Sequence, residues 1–204
     1  MRPICDNRGA RIIGIAGGIG AGKSVVCRLL RIRGYEVYDC DIKAKELMAL
    51  EPLASEIASL LGAEAFTDNG ALDRGYVASR IFSDAEVRRQ LNALVHSAVV
   101  NDVERIAGTM TAKDLLFVES AVMVTSGLDE LASQIWVVDA PVDLRIRRVL
   151  ARNPELNEED ILRRMQTQEK ELEAIEEFKR REICNSGEIS LLRQVDALLV
   201  KLEE

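Results

Sequence analysis

Residues 17–24 read Gly-Gly-Ile-Gly-Ala-Gly-Lys-Ser, the full pattern GxxxxGK[ST]. The octet constrains the fold because it works only between a strand and a helix. Gly17 and Gly22 permit backbone angles that a Cβ would forbid, so successive N–H groups can curl around an anion at a positive helix N-terminus. Both neighbours are present. Arg11-Ile-Ile-Gly-Ile-Ala16 is a short apolar, β-branched run suited to a buried parallel strand. After the loop, Val25, Val26, Leu29, Leu30 and Ile32 recur at helical spacing up to Gly34, which has the place of a C′ residue. The candidate nucleotide-binding residues are therefore Gly18, Ile19, Gly20, Ala21, Gly22, Lys23, Ser24 and Val25. Lys23 supplies a charge for the β and γ phosphates of a nucleoside triphosphate such as ATP, and Ser24 a hydroxyl for Mg²⁺.

At 204 residues and 48% hydrophobic content, the chain can bury one good core and carry an insertion or two. No segment approaches the ~18 uninterrupted apolar residues of a membrane span, and the first ten residues lack the apolar stretch of a secretory signal. We therefore expect a cytoplasmic protein with no membrane partner. Cys5, Cys27, Cys40 and Cys184 are far apart with no CxxC spacing, which disfavours zinc and reads as reduced, buried thiols. His96 is the only histidine, so a multi-histidine metal site is excluded. The net charge of −7 argues against a backbone-neutralising nucleic-acid binder. An anionic ligand must then find a local positive pocket. Arg145, Arg147, Arg148 and Arg152, and the run Lys179-Arg180-Arg181, are the basic clusters outside the loop, and the ordinary fate of such runs is a solvated face.

Further along, Tyr35–Asp39 reads as a second strand, with a loop beginning at Asp39-Cys40-Asp41. From residue 43 the apolar residues keep helical spacing for about 65 residues, with turns around Asn69-Gly70 and Ser83-Asp84. Leu115–Glu119 and Gln134–Asp139 are short apolar runs ending in an acid, as central parallel strands would. Pro141 to about Ile175 is helical and charged, broken near Asn153-Pro154, with Asn157 placed to cap the next helix. Arg181–Cys184 fits a last strand and Ile189–Leu202 a closing helix. The order predicts an α/β three-layer fold with a parallel central sheet: a core of 1–42, 112–141 and 176–204, a helical insertion of 43–111 and a second excursion of 142–175. No Asn-Lys-x-Asp guanine-reading segment occurs. A small chain with two excursions suits a small-molecule kinase, whose clamping parts exclude competing water.

The residues resemble the dephospho-coenzyme A kinases, which phosphorylate the ribose 3′-hydroxyl of dephospho-CoA with ATP in the last step of CoA biosynthesis. Ile15–Ser24 is similar to that family's GLTGGIGSGKS, including the second Gly and the Ile. Val37–Ala44 looks like its VIDADxxA. Leu72-Asp73-Arg74, Phe82, Leu91 and His96 follow LDR…VF…L…HP, and Arg148, Arg152, Arg164 and Gln168 resemble its lid pattern RxxxR…R…Q; Asn185 with Gly187 is similar to a late NxG. The resemblance implies that Asp41 is the general base on the 3′-hydroxyl, with Asp39 assisting the metal or the other acid. It makes 43–111 the acceptor-binding insertion, with Arg74 and His96 as substrate contacts, and 142–175 a lid whose Arg148 and Arg152 act with Lys23 on the transferring group. Glu119 would hold Mg²⁺ through water, where the family more often has Asp.

The residues alone leave alternatives open. Asp41 can be a helix cap, Arg145 and Arg147 a solvated face, and His96 a packing residue. Arg145, Arg148 and Arg152 share one helical face, and three guanidiniums there require anions to neutralise them. The family usually reads PLLFE after its third strand, where this chain has Ala121-Val-Met-Val-Thr125. Ser97 stands in place of a proline and Asn153 in place of an aspartate. Another P-loop kinase, for instance one acting on nucleoside monophosphates, would usually carry a DGxPR-like segment, which is absent; a diverged, non-catalytic nucleotide-binding module is the remaining alternative. Nothing in the sequence signals an oligomeric state.

Lys23→Ala is expected to abolish turnover and weaken ATP binding by about 1.5 to 3 kcal/mol, the worth of a charge-assisted hydrogen bond. Unchanged ATP affinity by calorimetry would sink the loop assignment.

Overall fold

A computed structural model describes residues 9–203. Five strands, β1 Arg11–Ala16, β2 Glu36–Asp39, β3 Leu115–Glu119, β4 Gln134–Asp139 and β5 Arg180–Cys184, form one sheet in the order β2-β3-β1-β4-β5. β1 runs parallel to β3 on one side and to β4 on the other, and β4 runs parallel to β5. The expected α/β fold with a parallel central sheet is the one observed. Consecutive β1 and β2 are separated in the sheet by β3, and the chain then crosses β1 to reach β4. This places the carboxyl end of β1 at a topological switch point, where open parallel sheets bind their ligands.

The central strands β3, β1 and β4 read as nearly continuous apolar runs, as strands covered on both faces do. On one face Ile13, Ile15, Phe117, Trp136, Val138 and Ile183 pack against α1 (Lys23–Ile32) and α9 (Leu191–Glu203), through Val26, Leu30, Val195 and Leu199. Tyr35, Phe117 and Trp136 stack edge to face with ring centroids 5.3 Å apart at each step. The helix α1 ends as its sequence dictates. Gly34 takes a positive φ of 86°, its N–H reaches the Arg31 carbonyl, and the Tyr35 N–H reaches that of Leu30. These are the paired bonds of a Schellman cap, which turn the chain back into β2.

The remaining helices of this part are the short α6 (Leu128–Leu131), which sequence spacing did not reveal, and the pair α7 (Val142–Arg152) and α8 (Glu158–Glu173). Asn157 caps α8 by accepting from the Asp160 N–H, as its position predicted. Val149, Ile161 and Met165 form a small core between α7 and α8, with Ile146, Leu150 and Ile19 against it. Beside this pair lies a cavity of about 450 Å³, with Val137 and Asp139 of β4, Arg145 of α7 and Met165 and Glu169 of α8 in its wall.

The chain separates into two compact units, one comprising the chain up to Tyr38 and from Ala107 onward, the other Asp39–Ile106. The second unit holds α2 (Cys40–Leu47), α3 (Leu53–Leu61), α4 (Arg74–Ser83) and most of α5 (Ala85–Thr109). Leu53, Ile57, Leu61, Val77 and Leu91 make its core, and the Tyr76 hydroxyl bonds the Leu61 carbonyl at 2.9 Å. Only an isolated antiparallel bridge, Phe66 to Leu72, interrupts its helical character.

Two expectations change. No loop follows β2: Asp39 accepts the Ile42 N–H at 3.0 Å and caps α2, which starts at Cys40. Asp41 is therefore an exposed residue of the first helical turn rather than the cap. Among the cysteines, Cys27 and Cys40 are buried and outside any disulfide, Cys184 is exposed, and Cys5 lies outside the described residues.

Trp136 is fully buried, and its indole N–H has no partner among the described residues. Trp136→Phe removes that unsatisfied donor with some ring volume, so a cost of at most about 1.5 kcal/mol is expected, against about 3–5 kcal/mol for Trp136→Ala. Urea denaturation of both variants checks this. Equal losses would show that the indole N–H is not a liability.

Candidate active site

The phosphate-binding octet leaves β1 at Ala16 and enters α1 at Lys23. Gly22, the N-cap of α1, has φ 105° and makes no side-chain cap, and no acid lies in the first turn. A Cβ there would meet the Asn185 amide, so the position requires glycine twice over. The helix thus begins without the side-chain acceptor that usually satisfies its first N–H groups, which is the state of an anion site.

The loop's carbonyls are satisfied one by one, those of Gly17 and Gly18 from within the octet and the rest from outside it. Lys23 Nζ donates to the Gly17 carbonyl at 2.7 Å, and the Ala21 N–H donates to that of Gly18. Arg145 Nε donates to the Ile19 carbonyl at 3.0 Å. Arg148 Nη1 reaches the carbonyls of Gly20 and Ala21 at 3.3 and 3.4 Å, and its Nη2 that of Asn185 at 3.0 Å. The Asn185 amide donates to Ala21 at 2.8 Å. Gln168 of α8 accepts the Ile19 N–H at 2.6 Å. With the carbonyls engaged outward, the N–H groups of Gly20 and Gly22 donate to nothing among the described residues. That is the polarity a phosphate requires.

Two of the three arginines on this face are therefore engaged within the protein. Arg145 also pairs with Asp139 at 3.5 Å, Arg147 is a solvated partner of Asp143, and Arg152 is exposed at the last residue of α7. Arg145 has its counter-charge in Asp139, whereas Arg148 is held by carbonyls alone and pairs with no carboxylate among the described residues. Glu119 ends β3 opposite Ile15 in register, and the next N–H, of Ser120, donates to the Ile15 carbonyl at 3.2 Å. Its carboxylate thus belongs to the strand end beside the one that feeds the loop.

Asp39, Asp41, Arg74 and His96 belong to the second unit. Arg74 opens α4 after its cap Asp73 and is exposed; His96 is half-buried on α5. Lys43, two residues past Asp41, has its pKa raised, first by a hydrogen bond from its ammonium to the Glu46 carboxylate and then by that carboxylate's charge. Sequence reasoning missed Glu171, whose carboxylate binds the segment after β3, because it is one of several acids on α8 and only the fold shows which faces a partner.

A family model described as Dephospho-CoA kinase matches residues 11–189. The chain belongs to the dephospho-CoA kinase family. The family's Deinococcus radiodurans dephospho-CoA kinase is 37% identical over 201 residues, covering 95% of this chain and 93% of the relative. That of Porphyromonas gingivalis is 38% identical over 160 residues, 78% of each chain. A Thermus thermophilus crystal structure superposes with a TM-score of 0.74 at 32% identity, covering 95% of this chain and 98% of the other. A Campylobacter jejuni dephospho-CoA kinase, at 17% identity and a TM-score of 0.65 over 95% and 97% of the two chains, shares the fold. Membership makes the chain a kinase, an enzyme of the transferase class.

Arg148→Ala and Arg152→Ala separate holding the loop from acting on the ligand. Removing Arg148 frees the carbonyls of Gly20 and Asn185, while Ala21 keeps the Asn185 amide, and a loss of about 1–3 kcal/mol of stability together with weaker ATP binding is expected. Arg152→Ala should leave stability within about 0.5 kcal/mol, as exposed sites do, while lowering kcat. Thermal unfolding and steady-state kinetics read both. Wild-type kcat in Arg152→Ala would return that residue to a solvated face.

Proposed function

We propose that the chain transfers the γ-phosphoryl group of ATP to the ribose 3′-hydroxyl of dephospho-CoA, with Asp41 as general base. The observation that carries this reading is the reach of the family match. It extends through residues 39–106 and not only the nucleotide loop, so the part that would recognise the acceptor is included. In this reading 1–42, 112–141 and 176–204 bind the nucleotide, 43–111 binds the acceptor with Arg74 and His96 as contacts, and 142–175 is the lid.

Gly18 to Val25 would receive the triphosphate, with Lys23 exchanging its Gly17 carbonyl for phosphate oxygens. Mg²⁺ fits the donors available. Ser24 offers a hydroxyl at the start of α1 and Glu119 a carboxylate at the end of β3, both hard oxygen donors. Among the described residues no cluster of three His, Cys, Asp or Glu side chains forms a protein cage. Mg²⁺ bound mainly by phosphates, with one or two protein oxygens, needs none; when bound it would offset the charge of the phosphate oxygens. Asp41, exposed on the first turn of α2, would take the 3′-hydroxyl proton, and Asp39, fixed as the cap of that helix, would position it. Arg152 and Arg148 would meet charge on the transferring group once the lid closes. The cytoplasm is the compartment that suits this reading, and no helix among the described residues is long and apolar enough to cross a membrane.

A coupled ADP assay with dephospho-CoA, adenosine monophosphate and shikimate as acceptors tests the reaction, and Asp41→Asn tests the base. ADP release should require dephospho-CoA and Mg²⁺. Asp41→Asn should keep both substrates bound while kcat falls by about 10² to 10⁴, the usual worth of a positioned base. Faster turnover of another acceptor refutes the substrate, and more than about a tenth of wild-type kcat in Asp41→Asn refutes the base.

A further inference from the structure

Glu171 lies three residues beyond Gln168 on α8, so the two side chains share one face of the helix. Gln168 receives the Ile19 N–H of the phosphate-binding loop. Glu171 receives three donors from the segment that follows β3. Its Oε1 accepts the N–H groups of Val124 and Thr125 at 2.5 and 2.7 Å, and its Oε2 accepts the Thr125 hydroxyl at 2.5 Å. Two successive backbone N–H groups converging on one carboxylate oxygen are a backbone nest, and the charge makes each bond stronger than a neutral one. Glu171 forms no ion pair among the described residues, so the nest is what compensates its charge. One helical face thus ties the loop after β1 to the loop after β3.

The rest of α8 is attached differently. Its buried side chains, Ile161 and Met165, pack with Val149 of α7 and with Ile19 of the phosphate-binding loop. Toward its end, the Leu172 carbonyl accepts from Arg180. Gln168 and Glu171 are therefore the side chains by which α8 hydrogen-bonds the loops after β1 and β3, and the loop after β1 is held in addition by the packing of Ile19.

We propose that Glu171 is a positioning residue, a latch that closes α8 onto the Val124–Thr125 nest and so sets Gln168 and Ile19 for the nucleotide. The proposal rests on reading 142–175 as a lid. Thr125 is the latch's other half. An acid at this position would face the Glu171 carboxylate at contact distance; the threonine instead offers it a hydroxyl. The identity of residue 125 and that of residue 171 are thereby coupled.

Glu171→Ala, Glu171→Gln, Thr125→Glu and the double variant Thr125→Glu with Glu171→Gln, each in the full chain, test the latch. Two readouts are used: amide hydrogen exchange at Val124 and Thr125, and kcat and KM for ATP. Glu171→Ala should speed exchange at both amides about tenfold or more and raise KM for ATP while lowering kcat by about five- to tenfold. Glu171→Gln, which keeps an acceptor oxygen, should retain at least about half of wild-type kcat, since the hydrogen bond rather than the charge sets the geometry. Thr125→Glu should behave as Glu171→Ala does, and adding Glu171→Gln should restore it, because the like-charge contact is removed. Unchanged exchange at the two amides, or faster exchange with unchanged kcat and KM, overturns the proposal. If Glu171→Ala does not fold, the Thr125→Glu pair decides, and failure of the second substitution to rescue the first overturns it. Failure of the dephospho-CoA reaction itself would appear in the wild-type enzyme, whereas the exchange comparison judges the latch without any turnover.

Discussion

Ile19 is held in three independent ways, and the site depends on all of them. Its N–H is given to Gln168, its carbonyl is taken by Arg145, and its side chain is packed into the small core between α7 and α8. A glycine-rich loop has little conformational preference of its own, since glycine loses the most backbone freedom on ordering. Order must be imposed from outside, and here it comes through the carbonyls. Each carbonyl from Gly17 to Ala21 has a donor, whether Lys23, a neighbouring amide, an arginine or Asn185. Fixing one side of each peptide fixes the other, so the N–H groups of Gly20 and Gly22 are aimed before any anion arrives. This is preorganisation, in which the ordering cost is met during folding rather than during binding.

The same arrangement accounts for the charge distribution. A chain of net charge −7 must concentrate its cations to attract a triphosphate. Arg145 and Arg148 lie against carbonyl dipoles, and Arg145 against Asp139 as well, so two guanidiniums sit close to one loop without the repulsion that free charges would suffer. Arg152, one turn further along α7, is left exposed.

How much of this could be read from the sequence divides along physical lines. The strands, the loop, α1 with its Gly34 cap and the break between α7 and α8 were legible, because each follows from local pattern: an apolar run, a glycine with positive φ, an Asn cap after a proline. The start of α2 was not. An acid at a strand end looks alike whether it opens a loop or caps a helix, and only the Ile42 N–H bonded to Asp39 distinguishes the two. The arginines were legible as a face but not as a clamp. Their partners are backbone carbonyls more than a hundred residues away, and carbonyls leave no mark in the sequence. Glu171 was hidden for the same reason: its partners are mainly the amides of Val124 and Thr125. The second unit's core was readable from helical spacing, while the placement of Cys184 on the surface was not, since a cysteine in a short edge strand fits either face.

The packing of Ile19 bears on how portable the octet is. A phosphate-binding loop is often treated as a cassette, a string of residues that carries its function with it. In this chain the third residue of the cassette belongs to another core, one built from residues 146–165. Grafting the octet alone onto a new strand and helix would leave an isoleucine without its pocket and the arginine-bound carbonyls without their donors. The smallest transferable piece is therefore discontinuous: the loop, the faces of α7 and α8 that touch it, and Asn185.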